Sequence, residues 1–121
     1  MTVQVNSFLI NLTSEDPELL QSFYEDIVEL PLRPEMGEHA FAVGPATLIV
    51  DSHSDTCGRT KEPQRVLIDF FVDDLASEQA RLEARGVEFI RSGGREYWGG
   101  VISTFLDPDG NYCQLIEYRG E

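Results

Sequence analysis

The side chains with chemical capacity in this sequence are few and scattered. His39 and His53 lie on either side of Asp51, and Asp51 and His53 share a face if the chain is extended there. Such a pair can hold zinc only if a third ligand arrives, so a native metal is not expected. Asp69 stands alone in the apolar run Val66 to Val72, with Leu67 and Phe71 beside it on its own face. An ionised carboxylate there needs a partner, otherwise its pKa rises. The partner is either a ligand cation, with acid–base work as a variant, or an arginine such as Arg65 or Arg119. Tyr97 and Trp98 sit between two glycine pairs, Gly93-Gly94 and Gly99-Gly100. A segment of this kind can bend over a cleft and stack its rings on a planar ligand or a cation; equally, Trp98 can plug one end of the core. The glycines follow neither GxGxxG nor GxxxxGK[ST] order and make no phosphate cradle. No serine occupies a GxSxG elbow. Cys57 and Cys113 lack CxxC spacing, no disulfide is indicated, and Cys113 reads as a small buried apolar residue.

These residues must be placed by secondary structure, and the pattern that does so runs twice. Val5 to Leu12 alternates as a strand, with Phe8, Ile10 and Leu12 on one face and Ser7, Leu9 and Asn11 on the other. A helix follows from about Pro17 to Val28, capped by Ser14 or Asp16, with apolar residues at helical spacing. Three short stretches, Leu32 to Glu35, His39 to Val43 and Ala46 to Asp51, read as strands separated by turns. Residues 53–64 read as a linker between a first module, about 1–52, and a second, about 65–121. The second repeats the order: a strand through Leu67-Ile68-Asp69-Phe70, a helix capped by Asp73 or Asp74 and closed by Gly86, a short strand Val87 to Ile90, and two longer ones joined by Asp107-Pro108-Asp109-Gly110-Asn111. The offset from Leu9-Ile10-Asn11-Leu12 is about 58 to 60 residues. Each module then has one helix on one sheet face, and the other face requires a second wall, from the other half or from another subunit.

Composition limits the partners. The chain has 121 residues, 22 acidic and 9 basic, for a formal charge of −13. That balance opposes binding to a polyphosphate backbone, so nucleic acid is not expected. Residues 1–60 hold 10 acids and 2 bases, a balance of −8; residues 61–121 hold 12 and 7, a balance of −5. Most of this charge reads as a solvated surface. No apolar run is long enough to span a membrane and the start lacks a secretory pattern, so the expected location is cytoplasmic.

The segments SEDPELLQSFYEDIVELPL, FFVDDLASEQARLEARGVEF and YWGGVISTFLDPDGNYCQLIE resemble the vicinal oxygen chelate superfamily, which holds glyoxalase I, extradiol dioxygenases and bleomycin resistance proteins. The resemblance covers nearly the whole chain. It implies an α+β fold: two βαβββ modules forming a cupped, mixed eight-stranded sheet with helices on the outer face, often completed by a dimer partner. Metal-dependent members carry ligands on the first and last strand of each module. Matched residue by residue, those positions here are Ser7, Ile49, Leu67 and Gln114. Two are aliphatic, and a hydroxyl with an amide would hold a divalent ion weakly, so no metal and no cofactor are expected.

The face away from the helices should carry Ser7, Leu9, Asn11, Thr47, Ile49, Asp51, Leu67, Asp69, Phe71, Tyr112, Gln114 and Ile116, with Tyr118 at its end. The expected ligand-binding set is Ser7, Asn11, Ile49, Asp51, Leu67, Asp69, Phe71, Trp98, Tyr112 and Gln114. An apolar and aromatic floor with a few polar groups is how small-molecule sites are built. The expected function is metal-independent binding of a cationic or aromatic, antibiotic-like small molecule in the cleft of a homodimer. The alternative is a glyoxalase-like lyase or isomerase with a lost or relocated metal, using Asp69 or Asp51 as base.

Overall fold

The strand–helix–strand order recurs in the computed structural model, which describes residues 2–120. The chain divides after Gly58 into two units, a boundary inside the segment read as linker.

In the first unit, β1 (Leu9–Thr13) pairs in parallel with β3 (Ala46–Asp51), and β3 pairs antiparallel with β2 (Ala40–Val43), giving the order β1-β3-β2. The first strand is shorter than its alternation predicts. Phe8 would fall opposite Ala46 and Ser7 opposite Pro45, in the turn that starts β3, where a proline offers no N–H to a ladder. Ser7 therefore precedes the strand. Between β1 and β2, α1 (Pro17–Ser22) begins at Asp16, whose carboxylate accepts from the Leu19 N–H, and continues as a wider π-turn over Phe23–Ile27. Leu20, Tyr24, Phe41, Leu48 and Val50 form the buried layer beneath it, with the Tyr24 and Phe41 rings in contact. The expected strand Leu32 to Glu35 does not form. Leu32 makes a single antiparallel bridge to Phe41, and Pro34 opens a 3-10 turn over Pro34–Met36. Among the described residues there are seven strands in two sheets, of three and four strands, where eight in one were expected.

In the second unit, β4 (Leu67–Phe71) pairs in parallel with β7 (Tyr112–Tyr118), followed by β6 (Gly100–Leu106) and β5 (Phe89–Arg95) in the order β4-β7-β6-β5. Leu9 and Leu67 open equivalent strands 58 residues apart, and each strand lies parallel to the last strand of its own unit. The helix α2 (Leu75–Ala84) starts at Asp74, which caps through the Ser77 N–H. It covers Phe70, Val101, Phe105, Cys113 and Leu115, all buried. Buried Ser103 donates to Gln79 of α2 at 2.5 Å and accepts from the Gly93 N–H. The glycine-rich segment is not a long loop. Ser92 to Arg95 belong to β5, leaving a tight hairpin over Glu96–Gly99.

The DPDGN turn between β6 and β7 is fastened from within. Asp107, buried, accepts from the N–H groups of Asp109 and Asn111 and from the Asn111 side chain. Arg59 lies over Gly110 and donates to the Pro108 carbonyl, while the Thr60 N–H donates to Asp109 O. This family-like motif is structural: it ties the start of the second unit to its last hairpin.

Candidate ligand-binding face

Register orders the side chains of the second sheet into rows on the face away from α2. The pairs Leu67↔Tyr112 and Tyr112↔Leu106 make one row. The next is Asp69↔Gln114↔Thr104↔Arg91, then Phe71↔Ile116↔Ile102↔Gly94, and last Tyr118↔Gly100. One row of four polar groups thus crosses the whole sheet between apolar rows, on strands about 4.8 Å apart. Edge strand β4 leaves its members exposed, Leu67 at 44% and Phe71 at 68%, whereas Ile102, Thr104 and Ile116 on the inner strands are buried.

The contacts within the polar row are specific. Gln114 Nε2 donates to Thr104 Oγ1 at 3.1 Å. Arg91 Nη2 donates to Glu96 Oε2 at 2.6 Å, and the guanidinium lies against Gly94, where a methyl group would overlap it. Asp69 has no hydrogen bond or ion pair among the described residues, and burial holds its carboxyl above the usual carboxylate range. Neither expected arginine serves it. Arg65 is bound to Glu62 through Nε and Nη2, at 2.9 and 2.7 Å. Arg119 pairs with Glu117, whose carboxylate also accepts from the Leu75 N–H at the start of α2, so both lie on the helix side of β7. Strand parity separates Arg119 from Asp69.

At the hairpin end of the same face, the Trp98 indole lies over Gly100, which has no Cβ to obstruct it. Its plane is within 4° of the Tyr118 ring, with centroids 6.4 Å apart, an aromatic pair of ordinary spacing. Trp98 is partly exposed, Tyr118 is exposed, and Tyr97 at the tip is 97% exposed. Trp98 is therefore half-buried, covering the backbone of Gly100 at the end of the sheet.

The structure gathers Leu67, Asp69, Phe71, Tyr112 and Gln114 on one face of the second sheet, with Trp98 at its end. Asn11 and Ile49 are partners in the first sheet, where Asp51 stands opposite Thr13. Asp51 accepts from the next residue's N–H, and His53 Nδ1 accepts from the Asp55 N–H, so both close local turns. Thr104 and Arg91 join the row without having been expected. Thr104 shares parity with Ile102 and was within reach of the alternation rule. Arg91 was not, because a bulge between Phe89 and Arg91 turns two residues of equal parity to opposite faces. Arg33, also unexpected, straps the β2–β3 hairpin, donating to Gly44 O, Ala46 O and, at 2.6 Å, Thr47 Oγ1.

A divalent ion does not fit the four family positions. Ile49 and Leu67 carry no donor atom and Ser7 is outside the sheet, which leaves one neutral amide oxygen, Gln114 Oε1, of the four positions. Among the described residues no three of His, Cys, Asp and Glu are gathered as a metal site would require. No helix among them is long and apolar enough to cross a membrane.

Comparison with known proteins agrees with this architecture. The family model for the Glyoxalase/Bleomycin resistance protein/Dioxygenase superfamily matches residues 6–115. No curated protein matches the sequence. Among solved structures, the antibiotic binding protein TnmS3 from Streptomyces sp. CB03234 is 24% identical with a TM-score of 0.70, over 98% of this chain and 99% of its own. An integron cassette protein from the mobile metagenome of V. cholerae is 17% identical with a TM-score of 0.74, covering 98% of both chains. A glyoxalase/bleomycin resistance protein/dioxygenase from Nocardioides is 18% identical with a TM-score of 0.72, over 98% of this chain and 86% of its own. At these identities the likeness is one of fold.

Proposed function

The chain belongs to the Glyoxalase/Bleomycin resistance protein/Dioxygenase superfamily, and on that premise we propose that it is a metal-independent binding protein for a cationic or aromatic small molecule. The observation that carries this reading is the face of β4 and β7. An ionisable carboxylate without a protein partner lies between apolar side chains there, with an aromatic platform two rows away. Asp69 is itself exposed, so its partial desolvation costs little in the folded protein, and its oxygens remain open to a ligand cation. The surrounding charge of −13 draws cations towards the face. Sequestration of an antibiotic-like molecule is compatible with this chemistry, and the Streptomyces neighbour is an antibiotic binding protein.

The working state in this proposal is a cytoplasmic homodimer. Leu67 and Phe71 along edge strand β4 are exposed apolar side chains that a second subunit would cover, closing the site. A monomeric mass in solution at micromolar concentration would remove that part of the reading. The binding function is tested by thermal unfolding in the presence of cationic glycopeptides and planar aromatic drugs at low ionic strength. A ligand present well above its Kd raises the midpoint. Stabilisation by cationic aromatics is the expected result; no stabilisation by any member of either group contradicts it.

A further inference from the structure

The donor and acceptor inventory at the centre of this face narrows the ligand further. Asp69 and Gln114 are direct partners in the parallel β4–β7 pair, so their side chains stand next to each other. The Gln114 amide nitrogen is committed to Thr104 Oγ1, which leaves Oε1 as the atom available to a ligand. Asp69 contributes two carboxylate oxygens with no hydrogen bond to any described residue. The pair therefore offers three acceptor oxygens, against the one amide N–H that Gln114 does not give to Thr104. On either side along β4, two residues away and on the same face, stand the exposed side chains of Leu67 and Phe71.

We propose that Asp69 and Gln114 form a subsite for a planar, delocalised cation, an amidinium or guanidinium, with Leu67 and Phe71 against the apolar part of the same molecule. The assignment rests on the reading of this face as a small-molecule site. An amidinium presents two N–H donors side by side in one plane, matching a carboxylate and a carbonyl oxygen side by side; a bidentate charge-assisted pair of this kind is stronger and more directional than a single bond. A delocalised cation is also weakly hydrated and tolerates apolar flanks. A primary ammonium is a compact, strongly hydrated charge that loses more on entering them. Arg91, at the other end of the row, is neutralised by Glu96 and does not repel the ligand cation as a free guanidinium would.

The test is a titration of the isotopically labelled full chain, followed by amide and Gln side-chain NMR signals, at physiological salt to screen general attraction to the acidic surface. The probes are benzamidine, its neutral analogue benzamide and the point-charge analogue benzylamine. Benzamidine is expected to move the signals of Leu67, Asp69, Phe71 and the Gln114 side chain together, and to bind at least tenfold more tightly than either analogue. Asp69→Asn should erase that advantage and leave benzamide binding unchanged. Gln114→Leu, which keeps Asp69, should reduce the preference for benzamidine over benzylamine. Equal binding of benzamidine and benzylamine, or benzamidine shifts confined to other parts of the surface, would overturn the assignment. If benzamide moves this face as strongly as benzamidine, the small-molecule reading stands and the planar-cation subsite falls; if no probe moves it, both fall.

Discussion

The two units are built on the same plan and differ in what they place at the same position. Asn11 in β1 and Asp69 in β4 are equivalent by the 58-residue offset, and each is flanked across the parallel pair by a residue of the last strand. In the first unit that row reads Asn11, Ile49, Ala40; in the second it reads Asp69, Gln114, Thr104, Arg91. The helix-facing layers, by contrast, are chemically alike. Phe41, Leu48 and Val50 correspond in kind to Phe105, Cys113 and Leu115, all buried. The repeat thus accounts for the core of both halves but not for the chemistry of the second. Packing on one side of a strand fixes alternate residues and leaves those between free to diverge.

Five substitutions sharpen or break this contrast. Phe105→Ala, at a site with no solvent exposure, should lower the unfolding free energy by about 3–5 kcal/mol, and Phe41→Ala by a similar amount. Urea denaturation measures both, and a loss under 1 kcal/mol at either site would mean that the helix-facing layers are not equivalent. Asp107→Ala removes the acceptor for three hydrogen bonds in the DPDGN turn and should cost about 1–3 kcal/mol. The first unit, whose strands β2 and β3 meet through Gly44-Pro45, has no counterpart to that turn.

Asp69→Asn makes the second unit resemble the first at the point where they differ. The folded state holds this carboxyl above its ordinary pKa, so ionisation at neutral pH opposes folding and the opposition fades as pH falls. The variant should therefore melt at the same temperature as the parent or higher at pH 7. Its affinity for benzamidine should drop at least tenfold, equivalent to about 1.4 kcal/mol. A lower melting temperature would show Asp69 to be a structural residue. Glu117→Gln should have the smallest effect. Arg119 and the Leu75 N–H hold the Glu117 carboxyl below the ordinary glutamate value. Its contribution is complete above that ordinary value and is lost as pH falls through the lowered one. The melting point of the variant should fall slightly below the parent's at pH 7 and coincide with it in acid; a difference independent of pH would contradict this assignment.

Much of the plan is readable from alternation and capping alone. The parity of Ile68 and Phe70 against Leu67, Asp69 and Phe71 correctly separates the helix side from the far side, and Asp16 and Asp74 mark both helix starts. What alternation does not contain is the partner strand. Val5 to Phe8 alternate as well as Leu9 to Thr13, yet β3 begins at Ala46 after a turn with Pro45, and pairing stops there. The bulge in β5 likewise resets parity and conceals Arg91. The isolation of Asp69 is equally hidden, because it depends on Arg65 pairing with Glu62 and on Arg119 pairing with Glu117 on the other face of the sheet.

Calorimetric titration of benzamidine into chelator-treated protein, wild type beside Asp69→Asn, tests the central claim most directly. Binding that survives chelation and weakens at least tenfold in the variant is the predicted result. Binding abolished by the chelator and restored by a divalent ion, or equal in the two proteins, would contradict it.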